Sequence, residues 1–441
     1  MKKFFSFLLI TAFVVTAFSG CAKQKLPSET DGSAGFEPAL DTAATAEIIV
    51  NGSWSNFEAL EAVAADWNKV YPGVAVNYYK IDDFVHNAHL LVKSADAPDI
   101  VLVNRDTFWA NKEELLDALT DLSKIGLNTE IINKNFIEAG TYKDKLCVFN
   151  WGMLANGFVV NKTILDKLKI DIPKTAAEFE KACNTLKMNG YTPIQGSAKD
   201  LYGNLLKNDR DYRISIYDDQ EGLYNSFKNA VPGCAKFFDA EFGEMLNMIK
   251  RGYTDTEINN GISNPYEDNI MNFLKGSTPF LCFSTESFSG IKKRESKSQL
   301  FNAEPFEYEF VSIPIILDET VVSVSPVNGF GIVSGSKNEE WAREFMRFLC
   351  RESELNKIAY VKGVPSVTQK GSNDERYTNI LNIPQKRWVA VSENKTVRLI
   401  DGCFGETLSA IASGEVKTVE EAEQYFEEKL PAWIDLVSKE E

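Results

Sequence analysis

Three short apolar runs separated by two helical stretches govern the first part of this chain. Ile48-Ile49-Val50 reads as a strand. Ser55 and Glu58 have the spacing of a capping box, and Phe57, Leu60, Val63, Trp67 and Val70 then recur at helical intervals until Tyr71-Pro72-Gly73. Val74, Val76 and Tyr78 alternate as a second strand, and Asp83 to Ala95 suits a helix. Ile100-Val101-Leu102-Val103 is apolar at every position, as in a strand covered on both faces, and a helix through Leu115, Leu116 and Leu119 follows. The order β-α-β-α-β requires parallel strands joined by right-handed crossovers. Ligands of such sheets meet the loops at the carboxyl ends of the strands. Here those loops are Asn51-Gly52-Ser53-Trp54 and Asn104-Arg105-Asp106-Thr107.

A second unit begins near Lys145. Leu146 to Phe149 and Phe158 to Val160 read as strands, with Asn150-Trp151-Gly152-Met153 between them. Thr175 and Glu178 form another capping box, and Asn189-Gly190 stops that helix after Met188. Strands are expected at Phe280 to Phe283, at Val311 to Leu317 and from Gly331, and helices around 338–351, 402–413 and 418–435. Residues 200–260 read as helix and polar loop without a sharper pattern.

The start of the chain carries an address. Lys2 and Lys3 precede an apolar run from Phe4 to Phe18, which ends at Ser19-Gly20-Cys21. The run has the build of a secretory signal and is too short for a comfortable membrane span. A cysteine directly after two small residues resembles a bacterial lipobox, which implies removal of residues 1–20 and lipidation of Cys21. Small and polar residues then dominate to Thr45, so 21–45 reads as a flexible tether.

Composition limits the partners. The formal charge is −16, and loss of Lys2 and Lys3 makes it −18. So acidic a chain lacks the basic footprint of a nucleic-acid binder, and it would not adhere electrostatically to anionic lipid. Membrane attachment therefore falls to the lipid on Cys21. Six cysteines remain without any C-x-x-C pair, and they read mostly as small buried hydrophobes. His86 and His89 are the only histidines and suit a solvated helix face better than a metal site. No cofactor fingerprint, G-x-S-x-G, Walker loop or H-E-x-x-H motif is present.

Four stretches carry a family likeness. They are Ala97-Pro98-Asp99-Ile100-Val101 with Leu119-Thr120-Asp121-Leu122; Tyr142-Lys143-Asp144-Lys145-Leu146 leading to Val160-Asn161-Lys162 and Ile172-Pro173-Lys174-Thr175; Phe273-Leu274-Lys275-Gly276; and Ile313-Pro314 with Asn328-Gly329-Phe330-Gly331 and Ser336-Lys337-Asn338. Their order resembles the extracellular solute-binding proteins of bacterial ABC importers, family 1, which capture sugars and oligosaccharides. The chain departs from the family where Pro-Tyr is common and Asn150-Trp151 stands instead.

The resemblance implies an α/β fold of the two-lobe, periplasmic-binding-protein type (class II), with a ligand cleft between the lobes. The chain would cross the hinge near Met153–Asn156, near Pro314 and again near Gly363. Lobe 1 would comprise 46–153 plus 315–362, and lobe 2 would comprise 154–314 plus 363–441. The implied function is a monomeric, extracytoplasmic, lipid-anchored receptor that delivers a carbohydrate to a permease, with no cofactor and no catalysis. A lipid-anchored hydrolase, or a receptor serving a sensor protein, are the other classes such a chain could join.

Sugars offer hydroxyls and flat C–H faces, so their sites combine planar polar side chains with aromatic platforms. Trp54, with Ser53 beside it, stands outside the helical period and serves either as ligand contact or as loop packing. The resemblance places polar ligand contacts at Arg105 and Asp106; a mutual ion pair or a helix cap is the plainer role. Trp151 is a stacking platform or interlobe core. From the second lobe, Glu286 and Phe288 fall where the family presents contacts. Asn328 and Phe330 lie near the expected cleft floor, and Tyr202 and Phe404 complete the candidates.

Overall fold

Three parallel strands open the fold: β1 (Ala46–Gly52), β2 (Val74–Lys80) and β3 (Ile100–Val103), in the order β2-β1-β3. The computed structural model describes residues 33–438, apart from Asn111, 370–374 and 392–393. Cys21 and the signal sequence lie outside the described residues, as do the side chains of Asp106 and Trp109. The strand alternation expected at the start is present. Ile100 and Leu102 face one core, while Val101 and Val103 face another with Phe108, Leu115 and Leu119. Burial on both faces is why this strand has no polar position.

The later strands are short. β4 (Thr141–Tyr142) and β5 (Lys145–Leu146) form a hairpin, followed by β6 (Phe149–Asn150), β7 (Met153–Asn161) and β8 (Ile194–Gln195). β9 (Phe280–Ser284), β10 (Tyr308–Val311), β11 (Val322–Pro326), β12 (Gly329–Ile332) and β13 (Trp388–Ala390) complete the set among the described residues. The first sheet has the order β2-β1-β3-β12-β6. The second has the order β13-β11-β7-β9-β8, with β10 also paired to β7. These two sheets and their helices are the two lobes.

Crossings between the sheets lie side by side. Asn150 pairs with Gly329 in the first sheet, and three residues on Met153 pairs with Pro326 in the second. Between them Trp151 N–H donates to Asn328 O at 3.2 Å, and Val327 N–H donates to Gly152 O at 2.9 Å. A third segment joins them, with Met153 N–H donating to Pro365 O at 2.8 Å. Gly329 has no room for a side chain: an added Cβ would lie 2.4 Å from Val148 Cγ1.

This geometry revises the expected boundaries. The second crossing is at 326–329 and not near Pro314, because β11 belongs to the second sheet. Residues 315–326 therefore go with lobe 2, where the Asp209 carboxylate holds the amides of Ile315, Ile316 and Leu317 at 3.0–3.1 Å. The strand expected over Val311–Leu317 ends at Val311 for the same reason. After Gly363 the chain still follows lobe 1, since Gln369 N–H donates to Ile131 O.

Other expectations divide. Thr175 caps its helix, its Oγ1 accepting from Glu178 N–H at 3.2 Å. Ser55 does not cap: the helix Glu58–Val70 starts after Phe57, whose ring is buried. Trp67 fills the core beneath Phe345 and Phe348, as its helical stripe requires. All six cysteines among the described residues are free, and five are buried.

The stretch from Ala34 to Thr45 is not a free tether. Phe36 meets Phe348 edge-on at 5.1 Å, with the guanidinium groups of Arg347 and Arg351 over its ring. Ala39 N–H donates to Glu344 Oε1 at 2.8 Å, and Leu40 N–H donates to Tyr71 Oη at 3.3 Å. The two large apolar side chains of this segment, Phe36 and Leu40, both pack on the core of lobe 1.

Candidate functional site

Where the chain crosses between the sheets, a cavity of about 360 Å³ opens between the lobes. Lobe 1 contributes Asn104 and Arg105, at the carboxyl end of β3, where the parallel strands direct it. Leu154 and Asn156 come from β7, and Ser323, Val324 and Ser325 from β11. Helices of lobe 2 close the far side with Asn204, Lys207 and Asp401, and Glu286 enters from the helix Thr285–Arg294. The wall is thus rich in amide, hydroxyl and charged groups, set on aliphatic side chains.

Several of these groups are already oriented. Asn104 Oδ1 accepts from Thr107 N–H at 2.8 Å, which fixes the turn that presents Arg105. Arg105 itself is exposed. Ser323 is 1 % exposed, and among the described residues its Oγ has no hydrogen-bond partner although the residue lies on the cavity wall. A buried hydroxyl left unpaired costs stability, so an occupant that bonds it recovers that loss.

Behind the cavity runs Lys207-Asn208-Asp209-Arg210-Asp211, five consecutive polar residues that are all buried. Lys207 Nζ donates to both Asp401 oxygens at 2.8 Å, and Arg210 donates to Asp401 Oδ1 and to Asp211 Oδ1, both at 2.6 Å. The Arg210 guanidinium also lies 4.7 Å over the Phe404 ring. Burial opposes the charge on Asp401, but Lys207 and Arg210 outweigh it and hold this carboxyl well below the usual range. Asn208 ties strands together: its Nδ2 donates to Asn156 O and Ser312 Oγ at 3.0 Å, and its Oδ1 accepts from Ser323 N–H at 2.9 Å. Asp209 goes the other way, since burial raises its pKa to about 6 despite three backbone donors.

Aromatic side chains cluster beside the crossing. Trp54 is half-buried, edge-on to Phe57 at 5.2 Å and to Trp151 at 5.8 Å. Lys362 Nζ sits 4.0 Å from the centre of the Trp54 ring. Across the lobes, Lys293 and Glu58 pair at 3.2 Å.

Of the residues expected from sequence, Arg105 and Glu286 line the cavity. Ser53 and Trp54 lie at the end of β1, half-buried, outside the lining. The others lie elsewhere. Trp151 and Phe330 are wholly buried in the first core, Phe330 stacked on Phe57, and Phe288 is packed among Tyr308, Phe310 and Tyr377. Asn328 is buried in the crossing ribbon. Tyr202 and Phe404 belong to the second core, with Asn259 Nδ2 bonded to the Tyr202 hydroxyl at 3.3 Å. Each of these large rings is needed as core, so none is free to meet a solute in this arrangement. The Asp106 side chain is outside the described residues. Asn104 of the expected loop lines the cavity too, and Asn156, Asn204, Lys207, Ser323, Ser325 and Asp401 do so without having been expected. His86 is an exposed residue paired with Asp83, and no group of three metal-ligating side chains occurs among the described residues.

The sequence pattern of the bacterial extracellular solute-binding proteins matches residues 51–353, which include both sets of crossing strands. The chain belongs to that family. Solved structures agree on the fold of this solute-binding protein. A family 1 extracellular solute-binding protein from Bifidobacterium longum subsp. infantis superposes with a TM-score of 0.65 at 16 % identity, over 88 % of this chain and 100 % of the other. The apo form of RafE from Streptococcus pneumoniae gives 0.64 at 16 % identity, over 90 % and 99 %. A sugar transporter from Bacillus licheniformis, solved in complex with stachyose, gives 0.61 at 16 % identity, over 87 % and 98 %. No curated protein matches this solute-binding protein in sequence. Its family places it outside the cytoplasm, and among the described residues no helix is long and apolar enough to cross a membrane.

Proposed function

We propose that this protein is a lipid-anchored receptor, held by Cys21, that takes a carbohydrate into the cavity between its lobes and delivers it to the permease of an ABC importer. One observation carries the reading. The cavity is lined from both lobes by hydrogen-bonding side chains, and one of them, the Ser323 hydroxyl, has no partner among the described residues. A solute that bonds Arg105 on one side and Ser323 or Asp401 on the other is held by both lobes. It stabilises their closed arrangement by its differential affinity. The crossing segments, paired by only a few backbone bonds, are where such a motion concentrates. Carbohydrate is favoured because structural neighbours were solved with raffinose and with stachyose. The amides, hydroxyl groups and charges of the lining are the groups that sugar hydroxyls require.

The test is calorimetry on the chain without its signal sequence, against monosaccharides, oligosaccharides, amino acids and polyamines, with product analysis of each mixture. Saturable binding of a sugar that is recovered intact is expected. Binding confined to amino acids or polyamines, or hydrolysis of the sugar, would refute the reading. Loss of uptake of that sugar on deleting the protein separates import from sensing.

A further inference from the structure

Lys362 ends the helix Glu352–Lys362 with its ammonium over two rings, 4.0 Å from the centre of Trp54 and 5.9 Å from that of Phe57. It is half-buried, yet among the described residues it donates no hydrogen bond and closes no ion pair. Glu58 and Glu286 act on it from a distance, but Glu58 is bonded to Lys293 instead. Burial draws the Lys362 pKa down, with Lys293 adding to that and Glu58 and Glu286 opposing. An ammonium in such a position is stabilised by the ring faces and, from a distance, by two carboxylates, and an anion in direct contact would improve it.

Arg105 is a second cation of this kind. It is exposed on the cavity wall and has no ion-pair partner among the described residues. The chain carries 63 acidic residues against 47 basic ones, so an internal carboxylate is the commoner resource. Lys207 and Arg210, deeper in the same site, each have one. Arg105 on the cavity wall and Lys362 over Trp54, within the field of Glu286 from that wall, are thus two cations without an ion-pair partner among the described residues. Lys362 also covers the Trp54 face, so a neutral sugar could stack there only after moving the ammonium, whereas an acidic sugar meets it as a partner.

We propose that the solute is a carbohydrate bearing a carboxylate, a uronic acid or an oligosaccharide containing one, with Arg105 and Lys362 as the residues that select its charge. This rests on the receptor reading above and narrows it.

The experiment compares uronate oligosaccharides with neutral oligosaccharides of the same length and linkage by calorimetry, at low and high salt. The acidic member should bind about tenfold tighter or more, as expected for a charge-assisted contact, and salt should erode the difference. Lys362→Met and Arg105→Gln should each remove most of that preference, weakening the acidic member far more than the neutral one, with the melting temperature nearly unchanged. Equal affinity for both members, or a preference that survives both substitutions, overturns the charge assignment and leaves the receptor reading intact. If no carbohydrate of either kind binds, both readings fail.

Discussion

Lys207 donates to both carboxylate oxygens of Asp401 at 2.8 Å, from a helix that begins on the wall of the interlobe cavity. Arg210 holds the same carboxylate from behind, so Asp401 is the counter-ion of two cations that are themselves buried. Asp401→Asn leaves both without full compensation. The expected cost is about 3–5 kcal/mol, read from urea unfolding. A loss below about 1 kcal/mol would mean that the pair is solvated in solution.

Asp209 supplies a pH signature. An acid whose pKa is raised on folding adds stability below its ordinary value of 3.8 and loses it as pH rises through about 6. Asp209→Asn keeps an acceptor for the amides of Ile315, Ile316 and Leu317 but cannot ionise. Relative to wild type, the variant should therefore gain roughly 3 kcal/mol between pH 4 and pH 7, most of it below pH 6. Unfolding curves at several pH values check this, and a constant difference across the range would contradict it.

Ser323 distinguishes binding from folding. Its hydroxyl is unpaired, so Ser323→Ala removes nothing from the empty protein and should leave its melting unchanged or slightly higher. A solute that uses the hydroxyl should bind about fivefold more weakly, near 1 kcal/mol by calorimetry. Neighbouring Asn208 behaves oppositely: its substitution breaks three bonds between strands and lowers stability.

Trp54 and Trp151 meet edge to face yet should respond differently. Trp151 is wholly buried, so Trp151→Ala is expected to cost about 3–5 kcal/mol. Trp54 is half-buried, and Trp54→Ala should cost about 1–2 kcal/mol while affecting solute binding more. Chemical denaturation and calorimetry on the two variants separate these outcomes.

How far the sequence was legible depends on what each residue answers to. The strands β1 to β3 and the stripe of Trp67 follow from periodicity, which is local, and the lobes follow from the order of motifs. The site was harder. Arg105 could be placed on the cavity because the carboxyl end of a parallel strand points there. Lys207 and Asp401 pair across a separation of 194 residues, and in sequence each looks like an ordinary surface charge. Phe330, Phe288 and Phe404 lie in the cores, and the sequence hides this for the converse reason: an aromatic beside a cleft motif looks the same whether its ring faces solvent or core. The boundary at Pro314 was misplaced because nothing local reveals that the distant Asp209 binds the next three amides.

Phe36 offers a test on the N-terminal side. Phe36→Ala removes one ring contact with Phe348, worth about 0.5–1.5 kcal/mol. Hydrogen exchange should show lost protection at the amides of Ala39 and Leu40, which bond Glu344 and Tyr71, with little change in the rest of the protein.

That clasp also determines how force enters the molecule. Among the described residues, the segment from Ala34 to Thr45 is held by the first lobe, through Phe348, Glu344, Tyr71 and Arg351. With the attachment proposed at Cys21, a pull from the membrane would reach the first lobe before the second. In the receptor proposed above, the first lobe is then the stator and the second the jaw that swings about the crossing ribbon.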